Sequence, residues 1–256
     1  MDNLKNKIIA RNIIELKIID STNSYAMELL KTKNEQIAEG TVIITKNQTA
    51  GRGQTGNTWE SETEKNLTLS IILYPDFIEP SQQFLFNKAI SLGITDYLKN
   101  KFPDLTLKIK WPNDIYVGDK KIAGILIENI IIGNKFSGSV VGIGLNVNQT
   151  IFSKNITNPT SMKLIIKKNF DIDKCLENLC MHIEKRYLQL KSGNYEKINF
   201  DYLNTLFRYE QFHYFNYKNK KIKARITGVS DYGELLLTDE NNKKLKCIFK
   251  EIDFIV

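Results

Sequence analysis

Three short segments combine positive charge with glycines or other polar groups in a way that could stabilise a phosphate or an activated carboxyl group. One is the glycine-rich stretch 48–59, QTAGRGQTGNTW; the others are 110–114, KWPND, and 120–128, KKIAGILIE. Glycines let backbone N–H groups approach anionic oxygens, and the indole of Trp59 offers a flat face to a base. The residue types therefore indicate a site that handles a nucleotide.

The segment 48–59 matches neither of the common glycine-rich nucleotide motifs in context. A P-loop needs GxxxxGK followed by Ser or Thr, and this segment has no such ending. A GxGxxG match occurs at 51–56, but a strand is predicted after it, whereas a dinucleotide site opens a helix there. We interpret the segment as a mobile lid that carries one fixed positive charge, Arg52.

Other segments are polar or glycine-rich where a core would be apolar. Residues 20–23, DSTN, either cap a helix or present its free N–H groups and short side chains to a neutral ligand. KWPND either ends a strand at a turn or places polar groups at a sheet edge. In 142–148, GIGLNVN, Asn146 is either a ligand contact or a structural bond, because a buried unpaired amide is costly. Together they predict a sheet face without bulky side chains, covered by the lid.

The elements that must position these segments alternate between strand and helix patterns. Strands are predicted at 11–19, 41–47, 66–74 and 104–111, and helices at 20–33, 82–100 and 171–207. A hairpin is predicted over 115–133 with its turn at Gly118-Asp119, and 136–148 follows a second turn at Gly133-Asn134. Short strands from about residue 210 predict a barrel or sheet of about 45 residues.

This order predicts an α+β fold. We expect a mixed, mainly antiparallel sheet flanked by helices on one side, followed by a small C-terminal β-barrel-like domain. The predicted boundary gives a catalytic domain over 1–208 and a small β domain over 209–256.

Charge and composition leave several partner classes open. The net charge of the 256-residue chain is +7, yet only five of its 36 basic residues are arginine. A general lysine bias, a nucleic-acid footprint or an acidic protein partner would each produce this balance. No apolar run reaches the ~20 residues of a membrane span, and the N-terminus lacks the apolar core of a signal peptide. We therefore expect no membrane contact and a cytoplasmic location.

The three cysteines lack CxxC spacing, which argues against a disulfide framework. Cys180 and His182 lie close in sequence, so a zinc site is an alternative to buried free thiols. We expect buried thiols and no metal held by protein ligands alone.

The segments, in this order and at these spacings, resemble those of the biotin–protein ligases (biotin–acetyl-CoA-carboxylase ligase, holocarboxylase synthetase). The matching motifs are DSTN, QTAGRGQTGNTW, KWPND, KIAGILIE and GIGLN, and 222–239 resembles the small β domain of that family. Only a short segment precedes Ser21, so we expect the class without an N-terminal DNA-binding domain and no nucleic-acid partner.

The resemblance implies a two-step reaction on ATP and biotin. The biotin carboxylate attacks the α-phosphate to give biotinyl-5′-AMP and pyrophosphate, and a lysine of a biotin carboxyl carrier protein or domain then displaces AMP. Mg²⁺ would arrive with ATP. A homodimer is possible because the predicted sheet has an edge strand.

The resemblance also assigns roles to residues. Those expected to act on the reacting groups are Lys121, Arg52 and Asp114. Those expected to bind biotin are Ser21, Thr22, Asn23, Gln48, Gly51, Arg52, Gly53, Lys121 and Gly124, with Gly144 also at the pocket floor. Those expected to bind ATP or the adenylate are Gln54, Trp59, Lys110, Asn113 and Asn146.

The lid departs from many family members, which carry arginine at the positions of Gln54, Thr55 and Asn57. Without those charges, we expect that the protein either releases biotinyl-AMP more readily or supplies the charge from a lysine elsewhere. The alternatives to a biotin ligase are a lipoate or octanoate ligase, a nucleic-acid-binding module and a biotin-binding protein without turnover.

Overall fold

A computed structural model describes residues 7–32, 37–54 and 56–255. The first sheet has seven strands in the order β1-β2-β3-β7-β6-β5-β4. These strands are β1 (Ile13–Ile19), β2 (Val42–Gln48), β3 (Leu67–Leu73), β4 (Leu107–Lys110), β5 (Asp114–Val117), β6 (Lys120–Ile132) and β7 (Lys135–Leu145). The β1–β2 pair is parallel and the other neighbours are antiparallel, which confirms the predicted mixed sheet.

Five α-helices accompany the two sheets within the described residues, and a 3-10 helix (Pro80–Gln82) comes directly before the second of them. The α-helices are α1 (Thr22–Thr32), α2 (Gln83–Lys101), α3 (Met162–Ile166), α4 (Ile172–Lys191) and α5 (Tyr195–Thr205). The short helix α3 was not predicted, because five residues are too few for a helical period to show. The predicted helix 171–207 is divided at Gly193, whose φ of 76° suits glycine and ends the α-helical path.

The first sheet is covered on both faces, so the expectation of helices on one side was wrong. Strand β3 is buried along its whole length, and alternate residues of a strand point to opposite faces. Leu69 and Ile71 belong to the large core with α2 and α4, whereas Ile72 packs with Ala26 and Leu29 of α1. The candidate site lies on the α1 face, where β3 carries Thr68 and Ser70 in place of aliphatic residues.

The C-terminal strands form a separate five-stranded antiparallel sheet, in the order β11-β10-β9-β8-β12. They are β8 (Phe212–Tyr217), β9 (Lys220–Val229), β10 (Leu235–Asp239), β11 (Lys244–Cys247) and β12 (Ile252–Phe254). The indole of Trp111 donates to the Gly233 carbonyl at 2.9 Å, and one apolar cluster includes residues of both sheets. The domain boundary at 208/209 stays a prediction.

All three cysteines are buried free thiols, and burial raises the pKa of the Cys180 thiol to about 12. His182 shares a 2.8 Å hydrogen bond between its Nδ1 and the Asn178 carbonyl. Across the described ranges, no group of three or more His, Cys, Asp and Glu side chains could hold a metal ion. No helix in the same ranges is long and apolar enough to cross a membrane.

Candidate active site

A cavity of about 220 Å³ lies between the α1 face of the first sheet, the loop 49–58 and the C-terminal sheet. It brings together segments that are more than 200 residues apart. The predicted site residues that line it are Ser21, Thr22, Asn23, Gln48, Arg52, Gly53, Gln54, Trp59, Lys110, Asn113, Asp114, Lys121, Gly124 and Gly144. Gly51 and Asn146, which were also predicted, do not line it.

One end of the cavity is polar and built on the N-terminus of α1. Ser21, Thr22 and Asn23 are buried, so their short side chains are held by hydrogen bonds and not by solvent. Gln48 Oε1 accepts from the Thr22 backbone N–H at 2.9 Å, and Ser70 Oγ lies 2.8 Å from Thr22 Oγ1. Buried hydroxyl and amide side chains at one place suit a neutral ligand rich in hydrogen-bonding groups. The segment 20–23 thus combines the start of a helix with a cavity wall.

A carboxylate that the sequence reasoning assigned no role, Glu128, joins this end to the loop. Its two oxygens accept from both terminal nitrogens of Arg52, at 2.8 and 3.0 Å. Its Oε2 also accepts from Asn23 Nδ2 at 3.0 Å. The Asn23 amide fits against the sheet because position 142 is glycine; a Cβ there would overlap it. The signal in the sequence was the final glutamate of KIAGILIE.

The other end of the cavity is cationic. Lys121 Nζ lies 2.7 Å from Asp114 Oδ1. The two residues lie on the neighbouring strands β6 and β5, which pair with Asp114 opposite Gly124. Lys110 Nζ lies 5.0 Å from the ring centre of Tyr116 and 5.1 Å from that of Phe254.

Burial lowers the pKa of Lys110, and the positive charges of Lys121 and Arg208 lower it further, against an opposing effect of Asp114 and Asp253. Within the described chain, Lys110 forms no ion pair. Its Nζ donates a hydrogen bond to the Tyr116 hydroxyl at 3.3 Å. A half-buried cation without a carboxylate partner is suited to bind an anionic group.

Two glycines make room for the indole of Trp59 on the sheet. Gly124 and Gly144 face each other across β6 and β7. A Cβ on Gly144 would overlap the indole ring, and a Cβ on Gly124 would lie 3.0 Å from its Cζ3. The indole therefore lies directly on backbone. Its Nε1 is buried and has no hydrogen-bond partner among the described residues, and Lys121 Nζ lies 5.7 Å from the ring centre.

The predicted residues outside the lining have structural contacts. Gly51 packs so closely under the loop that a Cβ would overlap the Trp59 carbonyl oxygen. Asn146 Nδ2 donates to the Thr160 carbonyl at 2.9 Å, whereas its Oδ1 is buried and meets no donor in the part of the chain that the structure describes. Asn113 lines the cavity but donates to the Ile125 carbonyl at 2.7 Å. Contacts of these residues with a ligand stay predictions.

Of the three loop positions noted for their missing arginines, Gln54 and Asn57 line the cavity. Thr55 lies outside the described residues.

The part of the sequence that forms the first sheet matches a known protein family. Residues 15–146 match the model of the biotin/lipoate A/B protein ligase family, which is just over half of the sequence. The chain belongs to the biotin/lipoate A/B protein ligase family. The matched range contains every predicted site residue, and it ends at Asn146.

Individual members of the family resemble the chain over most of its length. It is 28% identical over 255 residues to the bifunctional ligase/repressor BirA of Bacillus subtilis, covering 94% of this chain and 74% of that protein. It is 27% identical to the biotin–acetyl-CoA-carboxylase ligase of Mycobacterium tuberculosis, over 70% of this chain and 66% of that one. The structure of the Aquifex aeolicus biotin protein ligase in complex with biotin and ATP superposes with a TM-score of 0.77. That comparison covers 96% of this chain and 99% of the other, at 25% identity.

The C-terminal sheet supplies cavity residues that the sequence reasoning missed. They are Phe249, Ile252, Asp253 and Phe254. Their place in the cavity depends on how the two sheets pack together, and a local sequence pattern does not predict that packing. The family match, which stops at residue 146, does not extend to them.

Proposed function

We propose that this protein attaches biotin to a lysine of a biotin carboxyl carrier protein or domain, using ATP and a biotinyl-5′-AMP intermediate. The observation that carries the proposal is one cavity with a neutral hydrogen-bonding end and a cationic end, joined by an indole lying on glycine. Biotin has a neutral ureido group and a carboxylate, and ATP adds a flat base and a chain of phosphates. The cavity offers a counterpart to each of these groups.

In this proposal the α1 end binds biotin. The buried hydroxyls of Ser21 and Thr22, with the Gln48 amide, recognise the ureido group. Asn23 completes this wall, and Gly53 of the loop lines the same cavity.

ATP occupies the other end. Trp59, which lines the cavity, offers its ring to adenine. Gln54 and Asn113 line the same region.

The first step needs positioning and charge rather than a protein nucleophile. A carboxylate oxygen of biotin forms a bond to the α-phosphorus, the bond from that phosphorus to the bridging oxygen breaks, and pyrophosphate leaves. Lys121 and Lys110 stabilise the negative charge on the phosphate oxygens, and Arg52 covers the reacting groups from the loop. Removing one such electrostatic contact typically costs about 3–4 kcal/mol of transition-state stabilisation.

In the second step the acceptor amine attacks the acyl carbon, and the bond to the phosphate oxygen breaks to release AMP. Asp114, 2.7 Å from Lys121, is placed to orient the incoming amine and accept its proton. Mg²⁺ bound to the phosphates would add charge neutralisation. Asp253 is the other carboxylate of the cavity lining and could hold it, which fits the few protein ligands that Mg²⁺ takes in nucleotide sites.

The partner in this proposal is a carrier domain of acetyl-CoA carboxylase or a similar enzyme, and ATP use favours the cytoplasm. A second copy of the chain is a further partner, since β1 forms an edge of the first sheet with Ile13 and Ile18 exposed. Sedimentation with and without biotin and ATP tests that dimer.

The decisive experiment is ATP–pyrophosphate exchange with biotin, lipoate and octanoate in parallel. We expect exchange with biotin, and transfer of biotin to an isolated carrier domain when one is added. Exchange only with lipoate or octanoate would instead assign the lipoate branch of the family. Biotin binding without exchange would identify a binding protein. Salt-dependent binding to duplex DNA, with an affinity that does not change when biotin is added, would favour a nucleic-acid-binding module.

A further inference from the structure

Arg52 of the loop is held by Glu128, a carboxylate to which the proposed reaction gives no role. Arg52 and Glu128 meet in a two-point contact at 2.8 and 3.0 Å, and Arg52 also lies 3.5 Å from Ser24 Oγ on α1. Two-point arginine–carboxylate contacts fix direction as well as distance. The position of Arg52 in the loop is therefore set from β6, at the neutral end of the cavity.

The same carboxylate begins a directed chain of hydrogen bonds. A carboxylate only accepts, so Glu128 requires Asn23 to point its Nδ2 toward it, and that nitrogen also donates to the Leu126 carbonyl at 3.2 Å. Asn23 Oδ1 is thereby turned toward Ser70, whose hydroxyl donates to it at 2.6 Å.

This series of hydrogen bonds continues from Ser70 to Thr22, which lines the cavity. Ser70 has one proton and uses it on Asn23, so at the 2.8 Å contact the Thr22 hydroxyl must be the donor. The Thr22 hydroxyl then donates to Ser70 in preference to the more distant Gln48 Oε1, which lies 3.3 Å away. The Thr22 oxygen is left with lone pairs, which suit an N–H group of a ligand. A ureido ring carries such N–H groups.

We propose that Glu128 is a positioning residue for biotin recognition. It holds Arg52 in the loop and sets the hydrogen-bond direction of Asn23, Ser70 and Thr22. This inference rests on the proposed function for the identity of the ligand, whereas the Arg52–Glu128 contact itself does not depend on it.

The expected effect exceeds that of an ordinary surface ion pair. Exposed pairs contribute little, and the Arg52 and Glu128 side chains are 45% and 25% exposed. Here one carboxylate makes three hydrogen bonds, and two of its partners line the cavity. We expect about a tenfold loss of biotin affinity when its charge is removed, in the range of charge-assisted hydrogen bonds reduced for exposure.

The test is Glu128→Gln, which keeps the shape of the side chain and replaces one acceptor oxygen by a donor. We expect the dissociation constant for biotin to rise about tenfold, with the exchange rate at saturating biotin within about threefold of the wild type. Limited trypsin digestion, with the product after Arg52 followed by mass spectrometry, should show faster cleavage at that bond. The matched control is Glu15→Gln, which removes a strand carboxylate paired with Lys46 at 3.6 Å and should change neither readout.

A double variant separates positioning from general stability. If Glu128 acts through Arg52, the losses of biotin affinity in Arg52→Ala and Glu128→Gln should not multiply when the two are combined. Should Glu128→Gln fail to fold, Glu128→Asp is measured in its place, with a smaller change expected in the same direction.

Unchanged biotin affinity and unchanged cleavage after Arg52 in a folded Glu128 variant would overturn the inference. If the wild type shows no exchange with biotin, the proposed function fails instead, and the trypsin result still decides whether Glu128 holds Arg52.

Discussion

A methyl group added at Gly144 should displace the indole of Trp59 and weaken ATP binding. The new Cβ would overlap the ring, so the indole must move by roughly 1–2 Å to regain an ordinary van der Waals distance. Overpacking of this kind costs about 1–3 kcal/mol, and stacking of a base on an aromatic ring contributes about the same. At about 1.4 kcal/mol per tenfold, the KM for ATP should rise between about fivefold and a hundredfold in Gly144→Ala.

The assay is biotin-dependent pyrophosphate exchange at varied ATP, with tryptophan fluorescence during ATP titration as a direct reading of the indole. Gly124→Ala should have a smaller effect, because its Cβ would be tight against the ring at 3.0 Å but would not overlap it. Gly228→Ala is the control, since its Cβ would make an ordinary 3.7 Å contact with Leu236 on the C-terminal sheet. An unchanged KM for ATP in folded Gly144→Ala, with the fluorescence response of the wild type, would refute the placement of adenine on Trp59.

Three lysines give further predictions. Lys121→Ala should reduce the exchange rate about 10²- to 10³-fold while calorimetry shows biotin affinity within about threefold, because the contact strengthens in the transition state; an equal loss of both would contradict a catalytic role. Lys110→Met should raise the release rate of biotinyl-AMP about tenfold in a dilution assay, and wild-type release rates would contradict its assignment to the phosphate. Burial lowers the pKa of Lys88 to about 8 from its ordinary 10.5. The unfolded chain therefore binds more protons between these values, so the free energy of unfolding should rise with pH from about 8 to about 10.5. Relative to Lys88→Met, urea titrations should show a gain of about 3 kcal/mol over this window, and parallel pH profiles would refute it.

Periodic segments allowed most of the first sheet and its turns to be predicted from sequence. The strand predicted at 66–74 is β3, and the helix predicted at 82–100 is α2, each within one residue at either end. Both turns of the β5–β6–β7 meander were predicted correctly, because glycine at 118 and at 133 adopts the positive φ that these turns need. The strand predicted at 104–111 was too long, since only 107–110 pairs with β5.

The site was predictable where one short segment supplies it and unpredictable where distant segments meet. The glycine floor could be inferred, because a glycine inside a strand weakens it unless something approaches closely. The role of Glu128 could not, since its partners Arg52 and Asn23 lie 76 and 105 residues away. Phe254 is more remote still: it reaches the cavity because the second sheet packs against the first.

The scarcity of arginine in the loop is explained by contacts that no local pattern shows. Where many relatives have arginine, Gln54 and Asn57 bring only neutral groups to the cavity. The cavity nevertheless holds Lys110, a half-buried cation placed between Tyr116 and Phe254. Because burial and neighbouring positive charges already lower its pKa, an anionic phosphate would relieve a cost that the folded protein carries without ligand.

A second lysine approaches the loop from the C-terminal sheet. Lys250 has a φ of 72°, a conformation that favours glycine, and its Nζ lies 4.0 Å from the position that a Cβ would take on Gly56. Of the two expectations for an arginine-poor loop, these contacts favour the one in which lysines outside the loop supply the charge. The dilution assay on Lys110→Met then distinguishes the two, because a protein that relied on the loop alone would release biotinyl-AMP at the same rate with or without that lysine.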